Sequence, residues 1–143
     1  MIYSLTPETF DDRLKPIFEH IDKENGMAER LEWEYCKANW QRMLYNGIAQ
    51  AWTNDERDAV LGSVVYLDLF NGEKTAAVCF WFSLPSARGT GRPQLLFDAF
   101  EAFCESGGIK NKKAASFMSL SADATRKSYE NRGYQKTEEI YSL

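Results

Sequence analysis

At 143 residues, with 44% hydrophobic and 14% aromatic composition, the chain is sized for one domain (1–143) whose core needs no metal or disulfide staple. Seventeen basic against 21 acidic side chains leave a net charge of −4, which argues against non-specific binding to nucleic acid. The longest apolar run, Ala76 to Phe82, is far short of the roughly 20 residues of a bilayer span, and the start at Met1-Ile2-Tyr3-Ser4-Leu5 lacks a basic secretory leader, so a cytoplasmic protein with no membrane partner is predicted.

Cys36, Cys79 and Cys104 form an odd set without a C-x-x-C pair, which predicts reduced thiols inside a core and no metal site. His20 is the one histidine, and a position on an amphipathic helix accounts for it.

In chain order, Ile2 to Leu5 alternate as a short strand. Thr6-Pro7-Glu8 has the pattern of a helix start, with Phe10, Leu14, Ile17, Phe18 and Ile21 as the apolar face, a kink or a break before Lys15 because of Pro16, and a stop at Asn25-Gly26. A second helix is predicted from Met27 to Asn46, before Gly47. Three strands follow, Ile48–Thr53, Ala59–Phe70 and Lys74–Phe82, the last two joined by a hairpin at Asn71-Gly72. The third is apolar on both faces, as a strand covered by helices on both sides would be. Arg88-Gly89-Thr90-Gly91-Arg92-Pro93 then feeds a helix that carries Leu95, Leu96, Ala99, Phe100 and Phe103 and closes at Gly107-Gly108. A strand over Ala114–Leu120, a helix over Asp123–Arg132 ended by Gly133, and a strand over Tyr134–Leu143 complete the order. The fold class is therefore mixed α/β, with helices on both faces of one sheet.

A glycine-bearing loop at a helix N-terminus offers unpaired N–H groups and the positive end of the helix dipole, which suits a phosphate or pyrophosphate. The same glycines also serve a plain tight turn. The loop lacks the Gly-Lys-Ser/Thr ending of a P-loop and is not a full GxGxxG fingerprint.

Arg88-Gly89-Thr90-Gly91-Arg92-Pro93, together with Tyr129-Glu130-Asn131-Arg132-Gly133-Tyr134, resembles the GNAT superfamily of acetyl-CoA-dependent N-acetyltransferases. The first matches the family's acetyl-CoA loop (Gln or Arg, two residues, Gly, one residue, Gly or Ala) up to its last position, and the second matches a late-helix Tyr-x-x-x-Gly-Phe/Tyr. The resemblance implies a mixed, mostly antiparallel sheet of about six to seven strands. It also implies acetyl-CoA as co-substrate, held by Phe82, Ser83, Leu84, Arg88, Gly89, Thr90, Gly91, Arg92, Ser121 and Tyr129, and an acetyl transfer to a primary amine on a small molecule, a lysine or a protein N-terminus. Tyr129 would be the catalytic acid that protonates the departing thiolate, and a homodimer is compatible with the family. As bases, Asp68, Glu73 or a water held by Ser119 and Ser121 would stand in for the glutamate that Lys74–Phe82 lacks. Glu29, Glu32 and Glu34, with Trp33 and Trp40, would flank a cationic acceptor or form a solvated helix face. Pro93 in place of the last Gly or Ala supports an alternative, a catalytically inactive GNAT-like module.

Overall fold

Residues 1–24, 30–114 and 122–137 are described in a computed structural model of the chain. Their order is β1 (Ile2–Ser4), α1 (Lys15–Glu24), α2 (Trp33–Tyr45), β2 (Ala49–Asn54), β3 (Ala59–Leu67), β4 (Lys74–Ser83), α3 (Arg92–Ser106), β5 (Asn111–Ala114) and α4 (Ala122–Asn131). The strands form one sheet in the order β1-β2-β3-β4-β5, antiparallel up to β4 and parallel between β4 and β5. A parallel pair needs a crossover, and α3 provides it.

The mixed, mostly antiparallel sheet is as expected, but the described residues hold five strands rather than six or seven. The strand expected at Ala114–Leu120 pairs earlier, at Asn111–Ala114, and 115–120 lie outside the described residues. Of the expected last strand, residues 134–137 are not extended into the sheet and 138–143 lie outside the described residues.

Alternation along the central strands divides the core between the two faces. Ala51, Val60 and Phe80 join Phe10, Leu14, Ile17, Phe18, Trp33 and Trp40 on the α1/α2 face. Trp52, Leu61, Ala76 and Val78 join Leu96, Phe97, Phe100 and Tyr129 on the α3/α4 face. Apolar residues on both sides of β4 are thus explained by helices on both sides of the sheet.

The first helix starts at Lys15, not at Thr6-Pro7-Glu8. The Thr6 N–H donates to Thr9 Oγ1 at 2.7 Å and the Thr9 N–H to Thr6 Oγ1 at 3.3 Å, so local hydroxyls satisfy the backbone in a non-helical turn. A short 3-10 turn follows at Asp12–Leu14, and Pro16, which lacks an N–H and clashes with the carbonyl four residues back, fits only in a first turn. The expected stop at Asn25-Gly26 lies outside the described residues. The second helix begins at Trp33 rather than Met27, with Arg30–Glu32 non-helical and the Trp33 indole donating to Asp12 Oδ1 at 2.8 Å. β3 ends at Leu67, three residues short of Phe70, because Asp68 Oδ1 accepts the N–H groups of Phe70 (2.8 Å) and Asn71 (3.2 Å) and turns the chain.

The pairing of β3 with β4 slips at one point: Gly62 faces Phe80, but Ser63 faces Val78. Cys79 is the extra residue of this β-bulge, and its side chain is exposed. Toward β5, pairing among the described residues ends at Val78 with Ala114. From Cys79 to Ser83, that edge of β4 faces no described strand, and this stretch leads directly into the glycine-bearing loop.

Candidate functional site

β4 delivers Ser83 and Leu84 to the start of the loop, and α3 begins where the loop ends. In between, the Ala87 N–H donates to Leu84 O (2.9 Å), Arg88 to Pro85 O (3.2 Å) and Thr90 to Ala87 O (3.2 Å). Thr90 Oγ1 donates to Ala87 O at 2.5 Å and accepts the Arg92 N–H at 3.2 Å. Among the described residues, the N–H groups of Gly89, Gly91 and Gln94 have no partner. The loop amides available to an anion are therefore Gly89 and Gly91, joined by Gln94 in the first helical turn, rather than the whole run from Arg88 to Arg92.

The glycines are required by the backbone. Gly89 and Gly91 have φ of 78° and 84°, the left-handed region that side chains rarely adopt, and open space lies where each Cβ would be. Gly91 is the N-cap of α3, Arg92 its first residue and Pro93 its second. The sequence places Pro93 first and Arg92 at the cap. The left-handed Gly91 moves both by one position, and Pro93 still lies where no helical N–H partner exists.

Both loop arginines are engaged. Arg88 Nη2 meets Glu24 Oε2 of α1 at 2.9 Å and donates to Ser83 O at 3.1 Å. Arg92 Nη2 donates to Asp58 Oδ2 at 2.7 Å and to Ser86 O at 3.1 Å, while its buried Nε has no hydrogen-bond partner. Burial alone would raise the Asp58 carboxyl, yet hydrogen bonds from Arg92, Asn54 and Ser86 outweigh it and hold Asp58 below the ordinary carboxylate range.

Behind the loop, on the α3/α4 face, lies Tyr129. Only 8% exposed, its ring sits 5.7 Å from Trp81, 5.8 Å from Phe97 and 6.1 Å from Tyr134. The Tyr-x-x-x-Gly-Tyr spacing is a helix C-cap: Gly133 has φ of 88°, and the Tyr134 N–H reaches back to Tyr129 O at 3.1 Å, bringing the two tyrosines into contact. Arg132 fastens this cap to α3 by donating to Gln94 Oε1 (2.8 Å), pairing with Asp98 (3.0 Å) and Glu101, and lying 4.6 Å over the Phe97 ring. Burial, with the neighbouring Tyr134, raises the Tyr129 phenol above its ordinary value, so it holds its proton through neutral pH.

The structure thus gathers Ser83, Leu84, Arg88, Gly89, Thr90, Gly91 and Arg92 at the junction of β4 with α3. Phe82 departs from this group: its ring is turned to the α1 face, 5.5 Å from Phe18. Ser119 and Ser121 lie outside the described residues, as does Glu29. Asp68 and Glu73 close the β3–β4 turn at the opposite end of the ten-residue β4, roughly 30 Å from the loop at strand rise. His20 sits on α1 with Nε2 3.3 Å from Glu24 Oε2. The thiols are only partly a core feature: Cys104 is buried, Cys36 is half-buried with its pKa pushed up to about 11 by burial, and Cys79 is exposed.

Asp58 and Trp81 were not legible as site residues. Asp58 follows a run of turn-like polar residues from Asn54, and Trp81 reads as one more apolar position of a central strand. Only their partners, Arg92 for the first and Pro93 for the second, distinguish them.

No protein-family model and no curated relative matches the chain. Solved structures do. A GCN5-related N-acetyltransferase from Ralstonia eutropha JMP134 superposes with a TM-score of 0.79 at 18% identity, over 100% of this chain and 97% of that one. A predicted acetyltransferase with acetyl-CoA from Clostridium acetobutylicum gives 0.78 at 12% identity, over 100% and 94%. A ribosomal-protein-alanine N-acetyltransferase from Brucella melitensis biovar Abortus 2308 gives 0.73 at 14% identity, over 100% and 96%. The loop, the late-helix cap and these superpositions along the whole chain agree: the protein has the GNAT acetyltransferase fold, in a sequence far diverged from those structures.

Proposed function

We propose that the chain is an acetyl-CoA-dependent N-acetyltransferase acting on a primary amine. The observation that carries this reading is that, among the described residues, the N–H groups of Gly89, Gly91 and Gln94 at the N-terminus of α3 have no partner, beside a stretch of β4 that faces no described strand. These amides, with the helix dipole behind them, fit a pyrophosphate, and the open space over both glycines lets it approach the backbone.

Acetyl-CoA supplies an activated thioester whose thiolate leaves on attack by an amine. Gly89, Gly91 and Gln94 would hold its phosphates, and Ser83 and Leu84 would flank the arm that follows. Tyr129 keeps a proton at its phenolic oxygen at neutral pH, which suits a general acid once a substrate brings the leaving group within hydrogen-bond reach. A structural neighbour named for ribosomal-protein alanine makes a protein N-terminus one acceptor class to test, with lysine side chains and small amines as the others.

A second reading, a GNAT-like module without catalysis, is favoured by one observation: Tyr129 is 8% exposed and packed among rings on the α3/α4 face. Calorimetric titration with acetyl-CoA, followed by thiol release across a panel of amines and peptides, separates the two. Binding with amine-dependent thiol release is expected. Binding with no release for any acceptor would establish the second reading, and no binding would end the first.

A further inference from the structure

Asp58 lies immediately before β3, yet it holds the loop at both ends. Its main-chain carbonyl accepts the Leu84 N–H at 2.7 Å. Its Oδ2 accepts from Arg92 Nη2 at 2.7 Å and from Ser86 Oγ at 3.1 Å. Its Oδ1 is fixed from below by Asn54 Nδ2 at 2.5 Å, and Asn54 Oδ1 in turn accepts the N–H groups of Asp58 and Ala59, each at 3.2 Å. Asp58 is 5% exposed and Asn54 fully buried, so the anchor belongs to the sheet rather than to the surface. A carboxylate buried this deeply is stable only with its partners in place, and removing one leaves the others uncompensated.

We propose that Asp58 is a positioning residue for the phosphate-binding loop: through Arg92 and Ser86 it presets the free amides of Gly89 and Gly91, and the charge of Arg92 serves this tether instead of pairing with a phosphate. The inference rests on the acetyl-CoA reading. Its physical basis is preorganisation, because a loop already ordered in the free protein loses less conformational entropy when it closes on a ligand. The alternative has the opposite sign. If Asp58 merely occupies a phosphate-binding arginine, removing its charge releases a cation to the ligand and tightens binding.

The test uses Asp58→Asn, Arg92→Gln and the double variant in the full chain, with CoA affinity by calorimetry and amide hydrogen exchange of the ligand-free proteins. Asp58→Asn should weaken CoA about tenfold, Arg92→Gln by a similar factor, and the double variant no more than either, because the two side chains act as one tether. Exchange should quicken over 86–92 but not in β2 and β3, and KM for acetyl-CoA should rise more than kcat falls. Should Asp58→Asn unfold the protein, Ser86→Ala removes one bond to the same carboxylate, with an expected loss of about threefold in CoA affinity. Tighter CoA binding by Asp58→Asn, losses that add in the double variant, or unchanged loop exchange would each overturn the proposal. Absence of CoA binding by the parent protein would count against the acetyl-CoA reading alone, since loop exchange in the ligand-free variants still decides whether the tether exists.

Discussion

The indole Nε1 of Trp81 donates to the carbonyl oxygen of Pro93 at 2.9 Å, joining β4 to the first turn of α3 across the loop between them. The same ring lies 4.9 Å from Phe97 and 5.7 Å from Tyr129, so one side chain sets the helix start against the strand and backs the late-helix tyrosine. Trp81→Phe keeps an aromatic ring and deletes the donor. The expected cost is about 1–2 kcal/mol from the lost hydrogen bond and the smaller ring, read as a lower urea midpoint, with CoA affinity reduced in parallel. An unchanged midpoint would show that the indole bond contributes nothing to the junction.

Gly91 caps α3 with φ of 84° and has open space at its Cβ position, so a substitution meets no neighbour and the cost is conformational. A non-glycine residue there should lose about 1–2 kcal/mol, and asparagine less because it tolerates this region. Gly91→Glu adds a negative charge beside the free amides and should nearly abolish CoA binding, whereas Gly91→Asn should retain most of it. Equal CoA affinity for folded Gly91→Glu and parent would reduce the loop to a turn.

Pro93 is the second residue of α3, where a backbone N–H has no helical acceptor. If Gly89, Gly91 and Gln94 suffice for the phosphates, Pro93→Ala changes CoA affinity by less than about tenfold, the scale of one charge-assisted hydrogen bond. A larger gain on calorimetric titration would mean that proline has disabled the site.

Tyr129 and Tyr134 both have their phenols raised, in each case chiefly by burial, with further increases from the charge of Tyr134 in the case of Tyr129 and from Glu101 and Cys104 in the case of Tyr134. For a group whose folded value is raised, the stabilisation is complete below the unfolded value near pH 10 and is lost as pH climbs through the folded one, because the unfolded chain gives up its proton first. Thermal midpoints should therefore be flat through neutral pH and drop above about pH 10. Tyr129→Phe should make that drop shallower and should slow acetyl transfer with little change in acetyl-CoA affinity. An alkaline decline of the same steepness in both proteins would be inconsistent with a buried phenol at Tyr129, and equal turnover would remove it from the chemistry.

Strand-like runs bounded by turn residues identified β2, β3 and β4, and the loop and cap glycines were legible because each marks a conformation that other residues avoid: Gly89 and Gly91 before α3, Gly133 after α4. The start of the first helix was not. Thr6-Pro7-Glu8 has the chemistry of a helix start, but paired hydroxyls and Pro16 together favour a turn until Lys15. Local propensity cannot rank two competing local solutions when the choice depends on what Phe10 and Leu14 pack against.

The sequence by itself determined the class of the fold, the order of its main elements and the place of a glycine-bearing loop before a helix, because hydrophobic period and glycine position are local properties of the chain. Tertiary structure alone decided which amides in that loop lack a partner among the described residues, that both its arginines are engaged by Glu24 and Asp58, that Cys79 is left exposed at a bulge, and that Asp68 and Glu73 lie at the far end of β4. Each of these depends on which residues distant in the chain become neighbours. Long-range pairing of strands and helices sets those distances, and no local pattern encodes them.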